Sequence, residues 1–363
     1  MIHVPSLILD VDKCKKNIRD MALKAKEHKV TFRPHFKTHQ SLEIGRWFKE
    51  HGVNKITVSS LEMAEYFLPE WKDITVAFPT NILEIERINR LAEKIQLNLL
   101  IESAETAKFL IENLTNPVGF FIKIDAGYHR TGVQPKDGNI IDDILKISEV
   151  SAKLIFKGFL SHSGHTYKCQ NKADVLDIHQ RCMNTLVELK EKYKNEYSNL
   201  ILSLGDTPSC SIAEDFEGID EIRPGNFVFY DLMQNKIGSN AIDHIAVALA
   251  CPIVAIHDDR NEIVVYGGGV HFSKERLENE KEGTIYGRIV EKNENSWGDL
   301  IPDTVIKSLS QEHGIISVSD DQIKNYSIGD YILALPIHSC MTANLMKRYK
   351  TTDGKDILMM NSW

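Results

Sequence analysis

The sequence predicts an α/β fold, namely a closed (β/α)8 barrel of the TIM type followed by a mostly β second domain. Short apolar runs alternate with amphipathic helical patterns from residue 30 to about residue 225. Polar residues collect just after these runs, where a barrel of this type builds its active site. Beyond residue 240 the pattern changes to longer β-rich runs. The chain of 363 residues, 42% hydrophobic and 26% charged, is long enough for two globular domains.

Eight apolar runs are candidate strands of the barrel. The first three are followed by helical patterns over residues 39–51, 60–69 and 81–94. A doubly wound open sheet has the same alternation, and eight units in about 200 residues favour the closed barrel. The predicted strands are Thr31–His35, Lys55–Ser59, Ile74–Phe78, Asn98–Ile101, Gly119–Ile124, Leu154–Leu160, Leu200–Leu204 and Asp220–Arg223.

The second domain is predicted from its longer strands. Ile245–His257 and Ile263–Tyr266 form a predicted hairpin around the turn Asp258–Asn261, and Tyr331–Leu335 is a later strand. The extended N-terminus is expected to pair with this domain. The predicted division is an N-terminal strand of residues 1–10, a barrel of residues 11–240 and a β-rich domain of residues 241–363.

Composition excludes several classes of function. The net charge of -8 and a pI near 6.0 argue against a nucleic-acid partner. No apolar run approaches the roughly 20 residues of a membrane span. The N-terminus lacks the pattern of a signal peptide, and the six cysteines include no CxxC pair. We therefore expect a cytoplasmic protein with free thiols that acts on a small molecule.

The first predicted strand ends at a basic, histidine-flanked segment that contains Lys37. Pro34 keeps the preceding residue extended, and an amphipathic helix follows. A lysine that is partly desolvated and near other cations loses its proton more readily, as an imine-forming nucleophile requires. The alternative is a lysine that only ends a strand. Lys37 is thus a candidate nucleophile at the barrel mouth.

Two neighbouring strand ends indicate a phosphate site. In Gly205–Ser209 a strand ends and a helix is expected, with Thr207 suited to the N-cap and Pro208 to the first helical position. Arg223–Asn226 ends the next strand, and Gly225 allows an anion to approach the backbone closely. Barrels often bind phosphate after their seventh and eighth strands. Each segment alone is equally consistent with an ordinary turn.

The fifth and sixth predicted strands are followed by cationic and aromatic side chains. Asp125–Arg130 brings one arginine to the barrel mouth, and His162–Tyr167 brings two histidines. A single histidine is more often structural than functional. Beside an imine-forming lysine and a phosphate cradle, these two segments indicate a site for the ring of a cofactor.

Together these residues resemble those of the pyridoxal-phosphate enzymes of alanine racemase fold (fold type III). Within that group they resemble the branch of D-threonine aldolase and eukaryotic-type D-serine dehydratase, the latter most closely. The resemblance covers nearly the whole chain. It implies pyridoxal 5'-phosphate as the cofactor and a D-amino acid as the substrate.

The resemblance also implies roles for individual residues. Lys37 would be the Schiff-base lysine, Arg130 would approach the phenolic oxygen of the cofactor, and His162 would pack against its pyridine face. Arg223 would lie near the ring nitrogen. Racemases of this fold use a tyrosine as a second base, and its counterpart is not identified in this sequence. The phosphate would be held by Tyr167, Thr207, Gly225 and Asn226.

A possible metal site lies in the second domain, at His338 and Cys340. If the strand that begins at Tyr331 continues through them, both side chains point to the same side, because strand side chains alternate. An imidazole and a thiolate suit a zinc ion. The spacing alone favours a buried histidine beside a small apolar cysteine over a metal site.

The resemblance favours the metal. The His-x-Cys pattern resembles D-serine dehydratase, whereas D-threonine aldolase carries His-x-Asp and favours harder ions such as Mn²⁺. Two protein ligands are fewer than the usual three of a catalytic zinc. Water and a substrate oxygen would complete the coordination unless His313 or His271 contributes.

The implied activity is a zinc-assisted β-elimination that converts D-serine to pyruvate and ammonia. One alternative is a metal-dependent D-threonine aldolase, a lyase that would act on D-β-hydroxy amino acids. A second alternative is a non-catalytic pyridoxal-phosphate-binding protein, against which the second domain counts. The resemblance further implies a homodimer.

Overall fold

The structure is a computed structural model that describes residues 2–293 and 296–360. The chain divides into two units. Arg19–Gly225 forms the barrel unit, and the described residues of Met1–Ile18 and Asn226–Trp363 form the second unit. The chain begins with strand β1 (Ser6–Leu9) and helix α1 (Val11–Glu27).

Within residues 19–225, all of which the structure describes, eight parallel strands form one sheet. The order around the sheet is β2-β9-β8-β7-β6-β5-β4-β3. These strands are β2 (Thr31–Phe32), β3 (Lys55–Val58), β4 (Asp73–Pro79), β5 (Gln96–Ile101), β6 (Val118–Ile124), β7 (Leu154–Ser161), β8 (Ile201–Leu204) and β9 (Glu221–Ile222). A bridge between His35 and Thr57 joins the two outer strands. The predicted closed barrel, rather than an open doubly wound sheet, is therefore confirmed.

The first barrel strand is shorter than predicted. It ends at Phe32, whereas the sequence suggested His35. Pro34 has no backbone N–H and cannot donate to the ladder. Its carbonyl still accepts the N–H of Thr57 at 2.9 Å, and the N–H of Phe36 donates to the carbonyl of Thr57 at 2.9 Å. Because the strand ends early, residues 36–39, which include Lys37, form a turn at the barrel mouth.

The barrel helices follow their strands, and each of the three predicted helical patterns contains a helix. The pattern over residues 81–94 is a short 3-10 turn followed by a helix. At several helix starts the N-cap serine or asparagine accepts the N–H of the third helical residue, as these side chains usually do. The helices are α2 (Leu42–Lys49), α3 (Leu61–Phe67), α4 (Ile85–Ala92), α5 (Ala104–Asn113), α6 (Gly138–Ser148), α7 (Lys172–Tyr193) and α8 (Thr207–Ile212).

The barrel core is apolar on both faces of its strands. Every residue of β6 is buried, as is usual for a parallel strand covered on both sides. Leu100, Phe121 and Leu160, from three adjacent strands, form one buried cluster. Polar side chains are also buried within these strands, among them Asn98, Ser203, Glu221 and, in β6, Lys123.

The described part of the second unit is dominated by one mixed sheet. The further described strands of this unit are β10 (Val247–His257), β11 (Glu262–Tyr266), β12 (Leu277–Asn279), β13 (Gly283–Ile285), β14 (Gly287–Lys292), β15 (Trp297–Leu309), β16 (His313–Ser317), β17 (Tyr331–Pro336), β18 (Arg348–Thr351) and β19 (Asp356–Leu358). The order of the mixed sheet is β11-β16-β15-β14-β17-β10-β1-β18-β19, so the N-terminal strand pairs with β10 and β18. Strands β12 and β13 pair with each other in a separate two-stranded sheet. The helices of this unit are α9 (Leu232–Ile237), α10 (Gly269–Phe272), α11 (Asp320–Ile323) and α12 (Ser339–Met346).

The predicted hairpin is present: β10 and β11 are antiparallel, and Asn261 closes the turn with a φ of 53°. The unit boundary lies at residue 225, earlier than the sequence division at residue 240. The difference arises because helix α9 belongs to the second unit although it precedes the β-rich pattern. In the part of the chain that the structure describes, no helix is long and apolar enough to span a membrane.

Candidate active site

Lys37 lies in the turn that follows β2. Its backbone N–H donates to Nδ1 of His35 at 3.3 Å, and its carbonyl accepts a hydrogen bond from Gln40 at 3.0 Å. Its side chain is exposed, so the expectation of partial desolvation was wrong. The expected cationic setting is present, since the charge of Lys37 acts on His35 and His162.

Two neutral imidazoles lie near the Lys37 amine. Burial lowers the pKa of His35 and of His162 well below 6.5, and the positive charges of Lys37 and Arg223 lower both further. Nδ1 of His162 lies 2.7 Å from the carbonyl oxygen of Gly205. A carbonyl can only accept, so Nδ1 of His162 carries the proton and Nε2 is left as an acceptor. His35 was not selected from the sequence, although it stands two residues before Lys37.

The loop after β6 brings Arg130 to this end of the barrel. Asp125 shapes the loop by accepting hydrogen bonds from the backbone of Gly127 at 3.1 Å and of His129 at 2.9 Å. The guanidinium of Arg130 lies 4.9 Å from the ring centroid of Tyr128. At this distance the guanidinium makes a cation–π contact with the ring. Arg130 also contributes to the low pKa of His162.

Lys123 is a buried lysine that the sequence analysis did not select. Burial lowers its pKa to about 8, and Arg130 and Arg223 lower it while Glu102 opposes them. It hydrogen-bonds to the hydroxyl of Thr131. The sequence did contain a signal that could have identified it, namely a charged residue within an otherwise apolar strand. At this pKa the amine is partly neutral near pH 8, and it feels the charges of the two arginines.

Arg223 is buried and held by neutral oxygen atoms. Its Nε donates to Oγ of Ser203 at 2.7 Å, and Nη2 donates to the carbonyl of Ser161. Oγ of Ser203 in turn donates to Glu221 at 2.6 Å. Burial lowers the pKa of Arg223 to about 10, against the opposing charge of Glu221. The hydroxyl therefore separates the guanidinium from its nearest carboxylate.

The predicted phosphate cradle differs from the sequence interpretation in one detail. Asp206, not Thr207, caps helix α8, because its carboxylate accepts the N–H of Ser209 at 2.8 Å. Thr207 is the first residue of α8, and its hydroxyl lies 3.4 Å from the backbone nitrogen of Gly225. Thr207 and Gly225 therefore do lie together. Tyr167 lies half-buried in the 3-10 turn that follows β7.

Gly225 allows the chain to approach the Lys37 turn closely. A Cβ atom at this position would lie 3.0 Å from both Cβ and the carbonyl oxygen of His35. Such a contact is tighter than almost all real Cβ contacts, so a side chain would displace its neighbours. The absence of a side chain therefore lets the Gly225 backbone pack directly against His35.

The structure corrects the argument that placed His338 and Cys340 on one strand. Strand β17 ends at Pro336, and Cys340 lies in the first turn of helix α12, whose N-cap is His338. The two side chains nevertheless meet, because His338 hydrogen-bonds to Cys340. Burial opposes protonation of His338, but Cys340, Asp231 and Glu275 together raise its pKa to about 9.

The side chain of Asn226 belongs to this second cluster. Its Nδ2 lies 3.3 Å from Sγ of Cys340 and donates to Asp231 at 2.6 Å. Both partners lie in the second unit. The amide nitrogen is thus already used, and only the backbone of Asn226 is left for the predicted phosphate contact.

Neither suggested third ligand joins the pair. Among the residues that the structure describes, no group of three histidine, cysteine or acidic side chains could hold a metal ion. His313 is exposed in β16. Nδ1 of His271 accepts the N–H of Gly268 at 3.1 Å. The imidazole of His338 and the thiol of Cys340 therefore form a two-ligand donor set.

Two family profiles match the chain. The profile described as "Alanine racemase, N-terminal domain" matches residues 9–232. The profile described as "Putative serine dehydratase domain" matches residues 246–352. Between them, these profiles span most of the chain.

The chain is also similar over its full length to known enzymes. It is 30% identical to the D-serine dehydratase of Dictyostelium discoideum over 388 residues, covering 100% of this chain and 96% of the relative. The structure of D-threo-3-hydroxyaspartate dehydratase from Delftia sp. HT23 matches with a TM-score of 0.91 at 24% identity, covering 100% of this chain and 99% of that one. A cysteine-to-alanine mutant of D-threo-3-hydroxyaspartate dehydratase, in the metal-free form, matches with the same score, identity and coverage. These structural matches show the fold.

Proposed function

The chain belongs to the family that joins an alanine racemase N-terminal domain to a serine dehydratase domain, and we propose that it is a pyridoxal-phosphate- and zinc-dependent D-serine dehydratase. The reaction is a β-elimination that converts D-serine to pyruvate and ammonia, which makes the protein a lyase. The full-length similarity to a D-serine dehydratase supports this substrate.

The observation that carries the proposal is the contact between His338 and Cys340. An imidazole and a thiolate form a donor set that suits zinc. A racemase only moves the α-proton and has no use for a metal at the β-hydroxyl. A dehydratase must expel that hydroxyl, which is a poor leaving group.

The barrel residues fit pyridoxal phosphate. Lys37 would hold the cofactor covalently, with His162 against its ring, Arg130 at its phenolic oxygen and Arg223 at its ring nitrogen. The backbone of Gly225 would contact the phosphate, as the resemblance implies. The remaining phosphate contacts would come from Tyr167, Thr207 and the backbone of Asn226.

When bound, pyridoxal phosphate supplies an electron sink for the α-carbon, and zinc supplies a Lewis acid for the β-hydroxyl. The Lys37 amine would remove the α-proton. His338 and Cys340 would hold the metal. The Cα–H and Cβ–O bonds break, and the hydroxyl leaves as water. The aminoacrylate that is released becomes pyruvate and ammonia on hydrolysis.

Two alternative functions account less well for these residues. A D-threonine aldolase would use the same lysine and metal but break the Cα–Cβ bond, and Cys340 in place of an aspartate counts against it. A non-catalytic pyridoxal-phosphate carrier would have no need for His338 and Cys340. We also propose, on the resemblance, a homodimer and, on the cysteine pattern, a cytoplasmic location. Sedimentation tests the first, because a fully active monomer would contradict it.

One assay separates these activities. The purified protein, loaded with pyridoxal phosphate and zinc, is incubated with D-serine, D-threonine or L-serine as the stereochemical control. We expect pyruvate and ammonia from D-serine and no product from L-serine. Glycine and acetaldehyde from D-threonine, without pyruvate from D-serine, would establish the aldolase. Bound cofactor without turnover of either would favour the carrier.

A further inference from the structure

A buried carboxylate supports the turn that carries His338 and Cys340. Asp231 is 1% exposed and caps helix α9, where Oδ1 accepts the N–H of Gln234 at 2.9 Å. Its other oxygen, Oδ2, accepts the N–H of Ser339 at 3.0 Å and the hydroxyl of Ser339 at 3.3 Å. One side chain therefore fixes the start of two helices, α9 and α12.

Asn226 connects this carboxylate to the cysteine. Its side chain is 3% exposed, and Nδ2 donates to Oδ2 of Asp231 at 2.6 Å. The same nitrogen lies 3.1 Å from Oγ of Ser339 and 3.3 Å from Sγ of Cys340. Because an ionised carboxylate only accepts, the contact with Asp231 fixes which end of the amide is the nitrogen. One N–H of the amide goes to Asp231, and the other faces both Oγ of Ser339 and Sγ of Cys340.

We infer that Asn226 positions Cys340 for metal binding through an N–H···S hydrogen bond, and that Asp231 fixes the orientation of the Asn226 amide. The inference rests on the proposed function, because it takes Cys340 as a zinc ligand. Hydrogen bonds to an ionised group are stronger than neutral ones, so the donor favours the thiolate that binds metal. It also restricts rotation of the Cys340 side chain. Residues that orient a metal ligand typically change metal affinity by about 10- to 100-fold.

The test measures metal binding rather than turnover. The full-length protein, loaded with pyridoxal phosphate, is titrated with Zn²⁺ in competition with a chromophoric chelator. Co²⁺ then replaces Zn²⁺, because the thiolate-to-cobalt absorption band reports directly on the bond to Cys340. The variants are Asn226→Ala, Cys340→Ala and the control Asn240→Ala. Asn240 is a buried asparagine of the same unit whose amide donates to the carbonyl of Ala241 at 2.7 Å.

We expect Asn226→Ala to weaken Zn²⁺ binding by about 10- to 100-fold and to shift the cobalt band, while Asn240→Ala changes neither. Unchanged affinity and an unchanged band in Asn226→Ala would overturn the inference, although the proposed function would stand. If the wild-type protein and Cys340→Ala bind Zn²⁺ equally, the zinc assignment itself fails, and the inference fails with it.

A second variant covers the case in which Asn226→Ala does not fold. Asp231→Ser keeps a good N-cap for α9 but is too short to hold the Asn226 amide. We expect a smaller loss of Zn²⁺ affinity in the same direction and a similar shift of the cobalt band. Wild-type affinity in a folded Asp231→Ser protein would show that Asp231 does not act through Asn226.

Discussion

The barrel cluster (His35, Lys37, Lys123, Arg130, His162 and Arg223) and the second-unit pair of His338 and Cys340 have opposite electrostatics. The barrel cluster gathers lysine and arginine side chains, and the pKa of both its histidines is lowered. In the second unit, Cys340 and two carboxylates raise the pKa of His338 to about 9. The barrel cluster is therefore suited to an anion such as a phosphate, and the pair is suited to a cation. The two sets should respond to different ligands.

The strongest test of the barrel cluster is Lys37→Ala. We expect D-serine turnover to fall by about 10³- to 10⁴-fold, since the variant loses its proton-transfer group as well as its covalent link to the cofactor. Borohydride reduction of the wild-type protein, followed by peptide mapping, should place the label on Lys37. Lys123 is the informative rival, because its pKa is lowered to about 8. A label on Lys123 would contradict the assignment.

The corresponding test of the second unit is Cys340→Ala, or removal of the metal with a chelator. Loss of a Lewis acid costs several kcal/mol of transition-state stabilisation, so pyruvate formation should fall by about 10²- to 10³-fold. The cofactor absorption should persist, because the residues proposed to bind the ring lie in the barrel. Cys340→Asp should favour manganese over zinc and shift activity toward aldol cleavage. Full D-serine turnover in metal-free Cys340→Ala would show that the pair is structural.

The two regions also differ in how far the sequence could predict them. The barrel was predictable because each buried strand is followed by its polar residues, so the strand order alone brings those residues to one end. Lys123 was missed because the charged side chain lies inside a strand, where the pattern predicts only core. The early end of β2 could have been predicted, because the sequence contains Pro34, which has no N–H to donate to the ladder.

The second unit required information that local patterns lack. The sequence predicted that His338 and Cys340 lie close together, and they do. The argument from alternating strand side chains was wrong, because the two residues meet across a strand-to-helix turn. The change from strand to helix depends on Asp231, which lies about 100 residues earlier and accepts the N–H of Ser339. The cap of α8 was misplaced by one residue because Asp206 and Thr207 are both good N-cap residues. Backbone conformation, not residue type, decides between them.

A third prediction concerns the buried support of Arg223. Ser203→Ala removes the oxygen that joins Arg223 to Glu221 and leaves two buried charged groups short of a partner. We expect the free energy of unfolding to fall by about 3 kcal/mol or more. Urea denaturation measures it. The control is Ser148→Ala, whose buried hydroxyl donates only to the carbonyl of Leu145 at 2.7 Å. An equal loss of unfolding free energy in the two variants would show that the charged partners of Ser203 do not increase the cost of removing its hydroxyl.

The smallest expected effect is the pH dependence that Asp206 gives to the barrel. Burial raises its pKa from 3.8 to about 6, although hydrogen bonds from Ser209 and Thr166 oppose the shift. The folded-state pKa is above the unfolded value, so the contribution of Asp206 to stability is full below pH 3.8 and is lost as the pH rises through 6. Asparagine caps a helix equally well and does not ionise. Asp206→Asn should therefore become more stable than the wild type between about pH 4 and 6, by roughly 2 to 3 kcal/mol at most. Above that range the gain should stay constant.

Urea denaturation from pH 4 to 8 measures the difference in unfolding free energy between Asp206→Asn and the wild type. A difference that does not vary with pH would show that Asp206 is ionised throughout.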